Sequence, residues 1–347
     1  MSVKRVTSQD VADLAGVSRT TVSLVLNNVE SIRISPSTRQ KVFDAADQLG
    51  YVPDAAAQAL ASRRAQIVGL ILTRNPHHIA SDVFLNKILD GLLEVTHENN
   101  VRLMFDIVEP EHQREAYLQM VRSKRIDGIL LSGPRFDDEA LRVLEEDGFP
   151  AVLMGQLPET GFCSVDVDNC AAARKAVAHL IRLGHQRIAC ITNAPGFYTA
   201  AADRLLGYRR ALSAAGLDFE PELVRYGEFD IESGYLQMMH LLQSRAKFSA
   251  AFIASDTLAL GAKAALREAG LHVPKDVALV GFDDLPFAQY LDPPLTTIHL
   301  PASEIAREAC QILMRLLEGD EPKDRQVILD THLVIRQSCG SVQLLSK

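Results

Sequence analysis

The 347-residue chain lacks the motifs by which most enzymes are recognised. It has no G-x-S-x-G nucleophile turn, no G-x-G-x-x-G dinucleotide fingerprint and no glycine-rich phosphate loop, so hydrolase, dehydrogenase and nucleotide chemistry find no anchor in it. Cysteine is sparse: Cys163, Cys170, Cys190, Cys310 and Cys339 are odd in number and show no C-x-x-C spacing. That argues against a disulfide framework or zinc site and for buried, reduced thiols. The His77-His78 pair has no cysteine or acidic partner at metal spacing, and His97-Glu98 lacks the second histidine of a zinc-protease helix; no metal or other cofactor is expected. No apolar run approaches the roughly 18 residues of a membrane span, and no apolar leader follows MSVKRVTSQD, which predicts a cytoplasmic protein. Low-complexity tracts are missing too, and 47% hydrophobic with 23% charged residues is the balance of a folded chain.

Positive charge is in deficit. The net charge is −8, so a nucleic-acid surface has to be local. Up to Gln66 eight basic residues stand against six acidic ones, a net +2, which leaves −10 for the remainder. A weakly basic head on an acidic body is the pattern of a nucleic-acid-facing head.

The first 50 residues read as three short helices. Thr7 or Ser8 caps the first, with Val11, Leu14 and Ala15 on one face and Gly16 as its breaker. Ser18 caps the second, whose apolar face is Val22, Val25 and Leu26. A third starts at Ser35-Pro36, turns Val42, Ala45, Ala46 and Leu49 inward and stops at Gly50. Two short helices about a glycine turn form a helix-turn-helix pattern. Residues 53–65 are alanine-rich, a stretch too short to be stably helical alone. From Ile67 buried-strand runs alternate with helical ones: 67–72, 101–108, 126–131, 151–154, 187–191, 250–254 and 277–282 as strands, and 84–98, 169–183, 203–215 and 257–269 among the helices. This predicts a doubly wound α/β body with ligands at the carboxyl ends of its strands. Tyr-Leu-Gln-Met occurs at 117–120 and again at 235–238, each time ahead of a strand, in keeping with two similar halves.

The segments VTSQDVADLAGVSRTTVSLVLNN, STRQKVFDAADQLGYVPDAAAQALA, VDVDN, LGHQRIACI, RLLGYRRAL, ASDTLALGAKAALREAGLHVPKDVALVGFDD and LTTIHLPASEIAREA resemble, in order and spacing over nearly the whole chain, the LacI/GalR family of bacterial regulators. The resemblance implies an all-α helix-turn-helix head (1–52) plus hinge helix (53–65), joined to an α/β two-lobed periplasmic-binding-protein-like domain (66–347). Lobe one would be 67–166 with 297–326, and lobe two 167–296 with 327–347.

It also implies a homodimeric repressor, not an enzyme, on pseudo-palindromic double-stranded operator DNA, with a small effector between the lobes. Helix 2 would enter the major groove with Arg19, Thr20 and Leu24 at base-reading positions. Arginine can bond guanine O6 and N7 together and threonine offers a hydroxyl and a methyl, whereas Leu24, where many members are polar or basic, contacts only apolar groups. Thr7, Ser8, Ser18, Ser23, Asn27 and Arg39 are candidate phosphate donors. In the hinge, Ala57 and Leu60 would meet the minor groove, Leu60 as a wedge; packing against the body is the alternative. The effector positions are Phe84, Ser132, Arg204, Phe229 and Asp283, with Ser255 and Asp256 behind them. They suit a sugar or a purine equally, and a structural ion pair or ordinary core packing are the competing roles. A solute-binding protein would share the body but needs a leader and no head; an enzyme would need paired cleft carboxylates or a phosphate loop.

Overall fold

The helices of the head carry their own start signals, and the first and third their own stops as well. The computed structural model describes residues 6–26, 33–52, 64–74, 82–109, 112–244 and 246–341, in two compact units, Met1–Gln66 and Ile67–Lys347. Helix α1 (Ser8–Ala15) begins with a reciprocal cap, Asp10 N–H donating to Thr7 Oγ1 and Thr7 N–H to Asp10 Oδ2 at 2.8 Å. Such a cap is worth about 1 kcal/mol. Gly16 ends it at φ 67°, a left-handed position that costs glycine no Cβ clash. Helix α2 (Arg19–Leu26) starts at Ser18, whose Oγ accepts from Thr21 N–H at 3.1 Å, and α3 (Pro36–Leu49) runs from the Ser35 cap to Gly50. Val11, Ala12, Val22, Val25, Val42, Ala45 and Ala46 form the buried core. One expectation is corrected: Leu14 is 48% exposed and Ala12 is buried instead, because α1 packs on both α2 and α3 and its buried stripe centres on residues 11 and 12.

The second unit alternates as expected. Its first elements are β1 (Ile67–Leu72), α4 (Val83–Glu98), β2 (Arg102–Ile107), α5 (Gln113–Ser123), β3 (Gly128–Ser132), α6 (Leu141–Glu146), β4 (Ala151–Met154) and β5 (Cys163–Val167). Then come α7 (Asn169–Arg182), β6 (Ile188–Thr192), α8 (Thr199–Ala214), β7 (Val224–Tyr226), α9 (Ile231–Gln243), β8 (Ala250–Ile253), α10 (Asp256–Glu268), β9 (Ala278–Asp283) and β10 (Thr296–His299). The last are α11 (Ala302–Glu318), β11 (Gln326–Leu329) and β12 (His332–Val334).

Two six-stranded sheets result, ordered β11-β5-β4-β3-β1-β2 and β12-β10-β9-β8-β6-β7. The orders match strand for strand, and the two Tyr-Leu-Gln-Met helices, α5 and α9, precede the equivalent strands β3 and β8. All pairings are parallel except β10 with β12, so the carboxyl ends of the parallel strands in each sheet share one edge. The chain passes between the lobes after β5, after β10 and after β11. The implied lobe limits therefore shift. Strand β10 pairs in register with β9, Thr296 beside Val280, and belongs to lobe two, not lobe one. Strand β11 pairs with β5, Gln326 beside Ser164, and belongs to lobe one, not lobe two. Helix α8 also starts four residues earlier than its expected bound at 203.

Candidate functional site

In the head, Ser18, Arg19, Thr20 and Ser23 are exposed along α2 and Leu24 is half-buried, so the candidate base-reading side chains share an accessible face. Arg19 Nε donates to Ser8 Oγ at 2.9 Å, which steers the guanidinium stem from α1. The Thr7 hydroxyl is occupied in the cap, 2.7 Å from Asp10 Oδ2, and Arg39 is half-buried on α3. Asn27, Ala57 and Leu60, like His77 and His78, lie outside the described residues.

Within the second unit a cavity of about 130 Å³ lies between the lobes, at the carboxyl ends of both sheets. Six of the seven expected effector residues line it: Phe84, Ser132, Arg204, Phe229, Ser255 and Asp283. Ser132 ends β3 and Asp283 ends β9, as the strand-end rule requires. Asp256 is the exception. It is fully buried below the cavity, where Oδ1 accepts from Thr297 Oγ1 at 2.7 Å and Oδ2 from Leu285 N–H at 2.9 Å. Burial and the neighbouring Asp283 push its carboxyl well above the ordinary range, so it ties β10 to the loop after β9 and does not face a ligand.

Arg204 is the centre of the polar network. Its Nε donates to Asn169 Oδ1 at 2.9 Å, its Nη1 to Ala254 O at 2.7 Å, and Asp283 Oδ1 stands 3.7 Å away. The guanidinium also lies 3.8 Å over the Phe282 ring. Burial pulls its pKa down against the upward pull of Asp283 and Asp166. Burial raises Asp283 to about 6, with Arg204 opposing. Two candidates stand on strained backbone, Phe229 at φ 67° and Asp283 at φ 112°. A side chain held there costs of order 1–3 kcal/mol, and such positions cluster at ligand clamps.

Several lining residues were not among those expected from the sequence, although Asp166 lies within the VDVDN segment. Asp166, near the end of β5, accepts from Asn169 Nδ2 on both oxygens, at 3.2 and 3.1 Å, and burial lifts it to about 6. Arg74, just after β1, pairs with Asp82 at 2.6 Å and lies 5.1 Å over the Phe229 ring of the other lobe. Tyr198 donates across the cleft to Thr73 O at 2.7 Å. Lys87 Nζ donates to Asp284 O at 3.2 Å, and Thr199 N–H to Pro134 O at 3.2 Å, so the lobes touch directly around the cavity. Among the described residues six buried side-chain polar atoms have no hydrogen-bond partner, and four of them belong to the lining: Thr73 Oγ1, Arg74 Nε, Asn193 Oδ1 and Thr257 Oγ1. Buried polar groups without partners are rare. Four of the six lie around one cavity, so its wall presents both donors and acceptors that no protein group meets.

Comparison with known proteins agrees with this architecture. Residues 7–54 match the family described as bacterial regulatory proteins, lacI family, and residues 177–339 a periplasmic binding protein-like domain. The chain is 36% identical over 338 residues to the HTH-type transcriptional regulator CelR of Thermobifida fusca, covering 96% of this chain and 98% of that one. It is 34% identical to the HTH-type transcriptional repressor CytR of Escherichia coli (strain K12), with 96% of each covered. Among solved structures, the CelR–cellobiose complex superposes with a TM-score of 0.74 at 35% identity, over 96% of this chain and 100% of that one. The Lac repressor dimer bound to operator and the anti-inducer ONPF gives 0.83 at 29%, over 97% and 99%. The chain thus belongs to the lacI family of bacterial regulatory proteins and is a DNA-binding transcription regulator, not an enzyme.

Proposed function

We propose that the protein is a cytoplasmic homodimeric repressor whose affinity for a pseudo-palindromic operator is set by a small polar effector bound between the lobes. The observation that carries the effector reading is the group of four unpartnered buried polar atoms on the cavity wall, contributed by both lobes. A ligand that bonds all four favours the closed arrangement of the lobes, and its preference for that arrangement is what alters DNA affinity. In the head, Arg19 and Thr20 read base edges while Ser8, Ser18, Ser23 and Arg39 orient the helix on phosphates; Thr7 acts through the cap, and Asn27, Ala57 and Leu60 keep the roles that the family pattern implies. CelR is seen with cellobiose and the Lac repressor as a dimer on operator, which supports the same roles here.

Selection of binding sites from random duplexes tests the operator. Two related half-sites in inverted order are expected, because a symmetric dimer presents two recognition helices. The affinity should fall steeply with salt as phosphate contacts release counterions. Enrichment of a single asymmetric site would exclude the dimeric reading.

A further inference from the structure

We propose that the cavity takes an uncharged saccharide and rejects anions, and that Asp166 is a residue that sets this selectivity; the proposal rests on the effector reading above. The unpartnered atoms are one N–H donor on Arg74, one carbonyl acceptor on Asn193 and two hydroxyls, on Thr73 and Thr257. A ligand matching them must both donate and accept, as sugar hydroxyls do. An ionised phosphate group accepts and has no proton to give to the Asn193 oxygen.

Charge points the same way. The lining holds three carboxylates, Asp82, Asp166 and Asp283, against two guanidiniums, Arg74 and Arg204. Each guanidinium already faces a carboxylate, Arg74 with Asp82 at 2.6 Å and Arg204 with Asp283 at 3.7 Å. Among the described residues no cation of the lining is left over for an anionic ligand, and a second negative group would sit among carboxylates in a low-dielectric site. The aromatic rings do not form a slot for a flat base. One face of Phe229 is covered by Arg74, and Tyr198 packs on that ring edge to face, centroids 4.9 Å apart at 89°. Phe84 remains as an apolar wall suited to the C–H face of a sugar ring.

Asp166 is the carboxylate free of a bonded cation. It is 8% exposed, and its side-chain partner is the Asn169 amide, whose own oxygen receives Arg204. From lobe one it offers remaining lone pairs to ligand hydroxyls, and the same negative charge repels a phosphate.

The test uses the full-length protein, with melting temperature and operator binding read in parallel. The panel is glucose, ribose, cellobiose and maltose, with glucose 6-phosphate, ribose 5-phosphate, hypoxanthine and cytidine. An uncharged sugar is expected to raise the melting temperature and change operator affinity, with its phosphate at least tenfold weaker. Asp166→Asn should lose at least tenfold for that sugar while the phosphate, freed of the repulsion, binds no more weakly than before, so the discrimination narrows by at least that factor; Asp166→Glu, which keeps the charge, should keep the discrimination. If Asp166→Asn does not fold, the wild-type panel still decides the ligand class. Tighter binding of a phosphate, hypoxanthine or cytidine than of every sugar overturns this inference and leaves the effector reading standing. A full panel without any effect on melting or operator binding overturns both.

Discussion

Asp283 combines a left-handed backbone at φ 112° with a side chain almost sealed from solvent, and it faces the Arg204 guanidinium at 3.7 Å. In Asp283→Asn the shape is kept and the charge is lost. A hydrogen bond to a charged group contributes about 1.5–3 kcal/mol, so effector affinity is expected to fall by roughly tenfold or more, measured by titration calorimetry; an unchanged affinity would remove Asp283 from the site. Asp166 and Asp283 also make the protein respond to pH. Both carboxyls stand near 6 in the folded chain, against about 3.9 when unfolded. Between about pH 4 and pH 6 the folded state therefore holds protons that the unfolded state has released, and their contribution to stability declines as the pH rises through 6. Ligand hydroxyls that donate to these carboxylates favour the ionised forms. Effector binding near pH 6 should thus release protons and weaken as the pH is lowered toward 5. Calorimetry in buffers of different ionisation heat reads this directly, and proton uptake would contradict it.

At the scale of elements, the cavity depends on how closely α8 lies on α7, because Arg204 and Asn169 come from these two helices. Gly207, one turn beyond Arg204, makes that approach possible: a Cβ there would collide with the Cys170 carbonyl oxygen and come within 2.8 Å of Ala173 Cβ. Gly207→Ala is expected to destabilise by about 1–3 kcal/mol, the usual result of overpacking. It should also weaken effector binding by pulling Arg204 away from Asn169. Urea unfolding and calorimetry together check it, and a neutral alanine would mean that the helices have room to separate. The same scale explains what could be read in advance. The head helices and the long buried strands were legible because caps, glycine stops and unbroken apolar runs are local signals. Strands β5, β7, β10, β11 and β12 were not. They are three to five residues long, and segments such as CSVDV or TTIH are strands only because a neighbouring ladder pairs with them. Asp166, Arg74 and Tyr198 escaped for the same reason. Nothing in their local sequence says that a crossover brings them to one cavity: Arg74 and Tyr198 lie outside the recognisable stretches, and Asp166 lies inside one, VDVDN, whose residues carried no effector role of their own.

For the molecule as a whole, the decisive feature is that both sheets are completed by the last strands in the chain. Strand β11 adds the final edge to lobe one and β12 to lobe two, and only two residues separate them. Beyond them Ser338 is buried, accepting from Thr296 N–H at 2.8 Å and donating to Leu279 O at 2.7 Å. A chain terminated before Gln326 would lose an edge from both sheets at once, so it should lose the cooperative thermal transition of the effector domain, followed by circular dichroism, while the head remains a separate compact unit. Retention of that transition would show that the edge strands are dispensable. During synthesis the order of events is set in the same way. The head can collapse as soon as it leaves the ribosome, since its core draws on residues 11–51 alone. The α/β body has to wait for more than 270 further residues, on the order of ten seconds or more at 5–20 residues per second. Every nascent chain thus passes through an interval in which the part that grips DNA exists and the part that takes orders does not.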